Sequence, residues 1–183
     1  MAILDQYCLV LELAISLKEN GSWAGETHVQ KAGYFLVTML NVPLEVDFIL
    51  YKHGPFSFEL REMLTGMEAE GFISWRPMPP YGPSVEIGEL GGALRAGFNS
   101  LANRYRDQIN FISKQLGSRN VAELERVATA LFVTKEGYSG SSRVGRIREL
   151  KPHVDVALAE QAVKEFDQIA SQASELSLVI QTA

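Results

Sequence analysis

Three histidines, one cysteine and a run of arginines carry most of the chemistry available to this chain of 183 residues. His28, His53 and His153 lie far apart, with no HExxH spacing and no neighbouring cysteine, so no metal site is predicted. His28 falls in the first turn of a predicted helix, a solvated place. His153 follows Pro152 where a loop enters a helix. His53 sits in Lys52-His53-Gly54-Pro55, where it could act as a general base. A hydrogen bond from its ring to the turn backbone fits the position better. Cys8, between Tyr7 and Leu9 in the first helix, reads as an inert buried thiol. Glu68/Glu70 and Glu123/Glu125 are spaced by two, so neither pair shares a helix face for acid–base work. A small-enzyme reading would need Lys31, Tyr34, Lys52 and His53 to converge. No catalytic residue and no cofactor is assigned, and the chain is read as non-enzymatic.

The net charge of −5 hides an asymmetry. Residues 1–89 carry 5 Lys/Arg against 12 Asp/Glu, residues 90–151 carry 11 against 5, and residues 152–183 carry 1 against 5. The basic middle centres on Arg143-Val144-Gly145-Arg146-Ile147-Arg148-Glu149-Leu150-Lys151, which Arg119, Arg126 and Lys135 could join. Arg126, Arg143, Arg146, Arg148 and Lys151 form the candidate surface for a nucleic acid or an acidic partner. The plainer expectation is that the segments pack together and their charges complement one another, with the short basic helix pairing with the acidic N-terminal part. The Ser-Gly loop before Arg143 could present backbone N–H groups to a phosphate, but it lacks P-loop spacing.

These residues need elements to hold them. A first helix over Ile3 to Glu19 ends at Asn20-Gly21. Thr27 and Gln30 make a capping-box pattern opening a second helix, with Ala32, Phe35, Leu36, Met39 and Leu40 as its stripe. Val46 to Tyr51 is a strand, broken at His53-Gly54-Pro55. Ser57 caps a third helix that buries Leu60, Met63, Leu64 and Met67. Phe72 to Trp75 and Val85 to Ile87 form a hairpin with a floppy, proline-rich tip. Its Trp75 and Tyr81 could make a sticky end. Residues 91–116 read as one long helix. Asn120 and Glu123 cap another, Ser142 starts a short basic one, and a final helix runs from about Asp155 to Leu178. The fold class is α+β, mostly α. The order helix, helix, strand, helix, hairpin predicts a winged-helix-like part over 1–90 with a β-hairpin wing, and a helical extension over 91–183 packed on it as one unit.

Two stretches carry a resemblance. Val29-Gln30-Lys31-Ala32-Gly33-Tyr34-Phe35-Leu36 is followed by Tyr51-Lys52-His53-Gly54-Pro55-Phe56-Ser57 and Glu59-Leu60. Later come Leu124 to Leu131 and Leu150-Lys151-Pro152-His153 before a terminal helix. The first stretch resembles the bacterial YwgA-like proteins and, more distantly, the Panacea or SocA-like antitoxin domain, and the second is similar to the C-terminal half of the YwgA-like group. Both groups have a Lys-x-x-Tyr helix, then an aromatic-x-x-Gly-Pro turn into a helix. The resemblance marks Lys31, Tyr34, Lys52, His53, Gly54 and Pro55 as motif residues and implies the same winged-helix-like plus helical layout. The antitoxin relatives neutralise toxins or serve as proteolytic adaptors through protein contacts, which implies the same mode of action here.

The function classes narrow accordingly. No apolar run approaches the roughly 18 residues that span a bilayer, and the start MAILDQY has an acid where a signal peptide is basic. One cysteine excludes an intrachain disulfide. A cytoplasmic protein with no membrane partner is expected. Its third helix, Ser57 to Glu70, has four acids and one base, which disfavours major-groove docking. The expectation is an interaction or regulatory protein, antitoxin-like, working on a protein partner. A DNA-binding regulator using Arg143 to Lys151 is the alternative. The long helices could also pair two copies.

Overall fold

A computed structural model describes residues 2–181. The chain is α+β and mostly helical, with two small antiparallel hairpins. Helix α1 (Ile3–Glu19) lies at the centre, with Leu9, Leu13 and Leu17 fully buried. Helix α2 (Glu26–Thr38) packs beside it. Strands β1 (Ile49–Tyr51) and β2 (Gly54–Phe56) form the first hairpin, in register Ile49↔Phe56. Helix α3 (Phe58–Ala69) leads to the second hairpin, β3 (Ile73–Met78) and β4 (Tyr81–Ile87). A bridge between Gly25 and Ser84 ties the α1–α2 loop to β4, and the Val85 N–H donates to the Ala24 carbonyl at 3.1 Å.

The second half is helical: α4 (Gly91–Gly97), α5 (Ser100–Arg104), α6 (Arg106–Leu116), α7 (Val121–Lys135), α8 (Ser142–Leu150) and α9 (Val156–Glu175). Helices α4, α5 and α6 each touch α1, α6 and α7 pack on α2, and α7 and α8 pack on α9. One apolar core therefore runs through both halves. Among the described residues no helix is long and apolar enough to cross a membrane.

Several local expectations meet a different outcome. The predicted long helix over 91–116 is three helices, bent at Phe98 and Tyr105. The bends let Leu94, Leu101, Ile109 and Ile112 all turn inward and stay buried. The proline-rich tip, expected to lack regular structure, is paired: both strands continue to Met78 and Tyr81, with a register shift between Arg76 and Met78. Pro77 lies within that shift, where a missing N–H costs no ladder bond. The segment Gly54–Phe56, expected only to break a strand, is itself a strand.

Caps divide in the same way. Ser57 caps α3, accepting from the Leu60 N–H, and Asn120 with Glu123 forms a reciprocal capping box on α7. The box expected at Thr27 and Gln30 does not form: α2 is N-capped by Gly25 with no side-chain cap. Thr27→Ala is therefore expected to change stability by less than about 0.5 kcal/mol. Asn120→Ala should cost about 1 kcal/mol. Urea denaturation of the two variants side by side checks the contrast. Equal losses would contradict it.

Candidate functional site

The Gly-Pro turn is held from three directions. Lys52 and His53 form the two-residue tip of the β1–β2 hairpin, because Tyr51 pairs with Gly54. Gly54 has φ +88°, a left-handed conformation that glycine adopts without steric cost. A Cβ there would meet Thr129 Oγ1 at 3.5 Å and the Glu125 carbonyl at 3.6 Å, so α7 passes close behind the turn. From α2, Lys31 Nζ donates to the Pro55 carbonyl at 2.9 Å. Lys151, just after α8, donates from Nζ to the Lys52 carbonyl at 2.6 Å. On α7, Glu125 Oε1 lies 3.2 Å from His53 Nδ1. Next along, Gln30 clamps the Ser57 backbone: its Nε2 donates to the carbonyl and its Oε1 accepts from the N–H, each at 2.9 Å.

Five of the six motif residues thus meet at one place, and the sixth does not. Tyr34 packs on Phe48 at 5.2 Å between ring centroids and hydrogen-bonds Thr38. Burial pushes its phenol pKa well up. Lys31 is 2% exposed. Burial is the main cause that brings its pKa down to about 8, with Glu125 opposing and Lys151 assisting. A depressed amine is the type that serves as a base or Schiff-base former. Here it is sealed from solvent and committed to a carbonyl. Lys52 and His53 are exposed, Lys31 is buried and Tyr34 is elsewhere, so the four side chains make no shared reaction centre.

The outer side of the same hairpin is apolar. Ile49 (50%), Tyr51 (44%) and Phe58 (44%) are exposed. Tyr51, Phe56 and Phe58 form a ring cluster with centroids 5.2–5.9 Å apart. The Arg61 guanidinium stacks 4.5 Å above Phe56 and pairs with Glu26 at 2.7 Å. Arg61 also edges a groove of about 620 Å³ that includes Trp23, Leu64, Trp75 and Pro83. Tyr81 stacks on Trp23 at 5.1 Å. Trp75 and Tyr81 of the β3–β4 hairpin are the aromatics that the sequence singles out; Trp75 lines this groove and Tyr81 stacks at its side. The Ile49–Tyr51–Phe58 surface was missed, although the alternation of Phe48 and Leu50 with Ile49 and Tyr51 was a usable signal.

The chain matches no family model and no curated protein.

The basic segment is largely neutralised within the helical half. Arg143 makes a bidentate pair with Asp167 at 2.6 and 2.7 Å. Arg146 binds Glu136 and Glu149 and lies 5.5 Å over the Tyr138 ring. Arg119 pairs with Glu165. The acids come from α8, α9 and the end of α7, not from the acidic N-terminal part as expected. Lys151 points inward to the hairpin. Arg148 is exposed and Arg126 half-buried, and neither has an acid partner among the described residues.

The histidines separate too. His28 is buried, not solvated: the Trp23 loop folds over it, with ring centroids 4.6 Å apart. Its Nε2 is 3.0 Å from the Arg119 carbonyl, and burial lowers its pKa. Among the described residues no three His, Cys, Asp or Glu side chains could hold a metal ion. Cys8 is fully buried, and burial pushes its thiol up to about 11.

Proposed function

We propose that the protein is a non-enzymatic interaction module, antitoxin-like or regulatory, that captures a partner polypeptide on the outer face of the β1–β2 hairpin and α3. The observation that carries this is the exposed Ile49–Tyr51–Phe58 surface with Arg61 stacked at its edge. Aromatic residues and arginine are enriched where binding energy concentrates at protein interfaces. Exposed Asp47, Glu59 and Glu62 flank the patch, so the partner segment is apolar with basic neighbours. The hairpin is stapled from behind by Lys31 and Lys151, which pre-organises it for docking.

The N-terminal part is winged-helix-like in this reading. Support comes from the order α1, Gly25 bridge, α2, α3, hairpin, with β1–β2 as an addition between α2 and α3. DNA recognition is the weaker alternative. An acidic α3 repels phosphate, and duplex binding at the basic segment would have to displace Asp167 and Glu136 from Arg143 and Arg146.

The test is affinity purification after nuclease treatment, comparing wild type with Tyr51→Ala/Phe58→Ala. A stoichiometric protein should co-purify with wild type. Truncating both anchors should weaken its binding by about 30-fold or more, the loss typical of a residue worth roughly 2 kcal/mol. A partner held equally by both forms would refute the surface. Partners lost on nuclease treatment, with duplex binding that falls as salt rises, would replace it with the DNA reading.

A further inference from the structure

Behind the stapled turn lies a cavity of about 110 Å³, bounded by α7, α8 and the start of α9. Its wall brings together residues far apart in the chain: Arg126 on α7, Lys151 after α8, and His153 before α9. We propose that this cavity binds a small tetrahedral oxyanion of the phosphate class, held by the Arg126 guanidinium, the Lys151 ammonium and the His153 imidazole.

The charge arrangement favours an anion. Lys151 is more than nine-tenths buried, and among the described residues the Lys52 carbonyl is the single acceptor for its three N–H groups. A buried ammonium needs further acceptors or a counter-charge. Arg126 stands out against Arg119, Arg143 and Arg146, each of which is paired with a carboxylate. Lys31 adds a further positive charge close enough to be felt together with Lys151 and Glu125. The one carboxylate on the wall, Glu125, is directed to His53. The Thr129 hydroxyl is committed to the Glu125 carbonyl at 2.6 Å.

Size and surroundings set the ligand class. Pockets for drug-sized ligands measure roughly 300–1,000 Å³, so this one admits a few heavy atoms and no nucleotide. Ile147, Val154 and Leu158 supply the apolar remainder of the wall. Low polarity there strengthens pairing between a fixed cation and an oxyanion. A guanidinium offers a donor fork that matches two oxygens of a phosphate, and the ammonium and imidazole can take a third. This site does not depend on the partner-binding surface proposed above.

The test titrates the full chain with inorganic phosphate by calorimetry, with chloride keeping ionic strength constant. Saturable binding at one site is expected. Arg126→Gln should weaken it by about tenfold or more, and Arg126→Lys by less, since a point charge replaces a fork. Far-UV circular dichroism establishes that the variants fold, and the half-buried Arg126 is chosen because Lys151 also holds the hairpin. Titration with acetate separates the classes: binding as tight as phosphate would overturn the tetrahedral assignment. Heat that never saturates, or equal phosphate affinity in wild type and Arg126→Gln, would overturn the site.

Discussion

Gln30→Ala is expected to destabilise the protein by about 3 kcal/mol, more than most single substitutions. Gln30 is 1% exposed and makes both of its bonds to the Ser57 backbone. Ser57 is itself fully buried and caps α3. Removing the amide leaves the buried Ser57 N–H without its acceptor, at a cost of about 1–3 kcal/mol. The Ser57 carbonyl keeps its bond from the Arg61 N–H and loses less. The void left by the side chain adds the remainder. Guanidinium denaturation measures the loss directly. For a chain of this size a 3 kcal/mol loss lowers the melting temperature by roughly 6–12 °C. A loss below about 1 kcal/mol would mean that the clamp does not hold the junction between hairpin and α3.

Lys31→Met gives the second large effect, read as a change with pH. In the folded chain Lys31 has a pKa of about 8, against 10.5 ordinarily. The unfolded chain therefore binds the extra proton between these values, and stability rises with pH across the window. Below pH 8 the folded protein carries a protonated, desolvated amine. Above 10.5 both states are neutral and the cost is gone. The gap corresponds to about 3 kcal/mol. Other groups titrate nearby: the Cys8 thiol, pushed up to about 11, and the Tyr34 phenol act in the opposite direction. Both are common to wild type and variant, so they cancel in the difference. The stability difference between wild type and Lys31→Met should move by about 3 kcal/mol in favour of wild type from pH 7 to 10.5. Urea unfolding at several pH values reads it. A difference that stays flat would show that Lys31 is solvated in the folded protein.

These two residues are adjacent, yet neither role could be read from their neighbours in the chain. Gln30 looked like a capping-box partner of Thr27, because the spacing was right. It is drawn instead to Ser57, which the fold brings beside it. Lys31 is legible in the sequence only as a motif residue, with nothing local to place it inside or outside. It is sealed in because α7 passes behind Gly54, a contact made across about seventy positions of sequence. The basic segment was legible as a segment but not in its pairing. Its helix spans Ser142 to Leu150, as the sequence predicts, while the acids that hold Arg143 and Arg146 lie just past the end of α7 and on α8 and α9.

The sequence by itself determined what rests on neighbours three and four residues apart: α1, the apolar stripe of α2, α3, α7, α8 and α9, with the caps at Ser57 and Asn120. Helical periodicity and capping are local, so composition and spacing suffice to read them. Only the tertiary structure decided the bends within residues 91–116, the burial of His28 and Lys31, and the meeting of Lys31, Glu125 and Lys151 on one turn. Lys151 and Lys52 are 99 residues apart. Such contacts are selected by the burial of a shared core, and that choice depends on every helix packing at once, which no local spacing encodes.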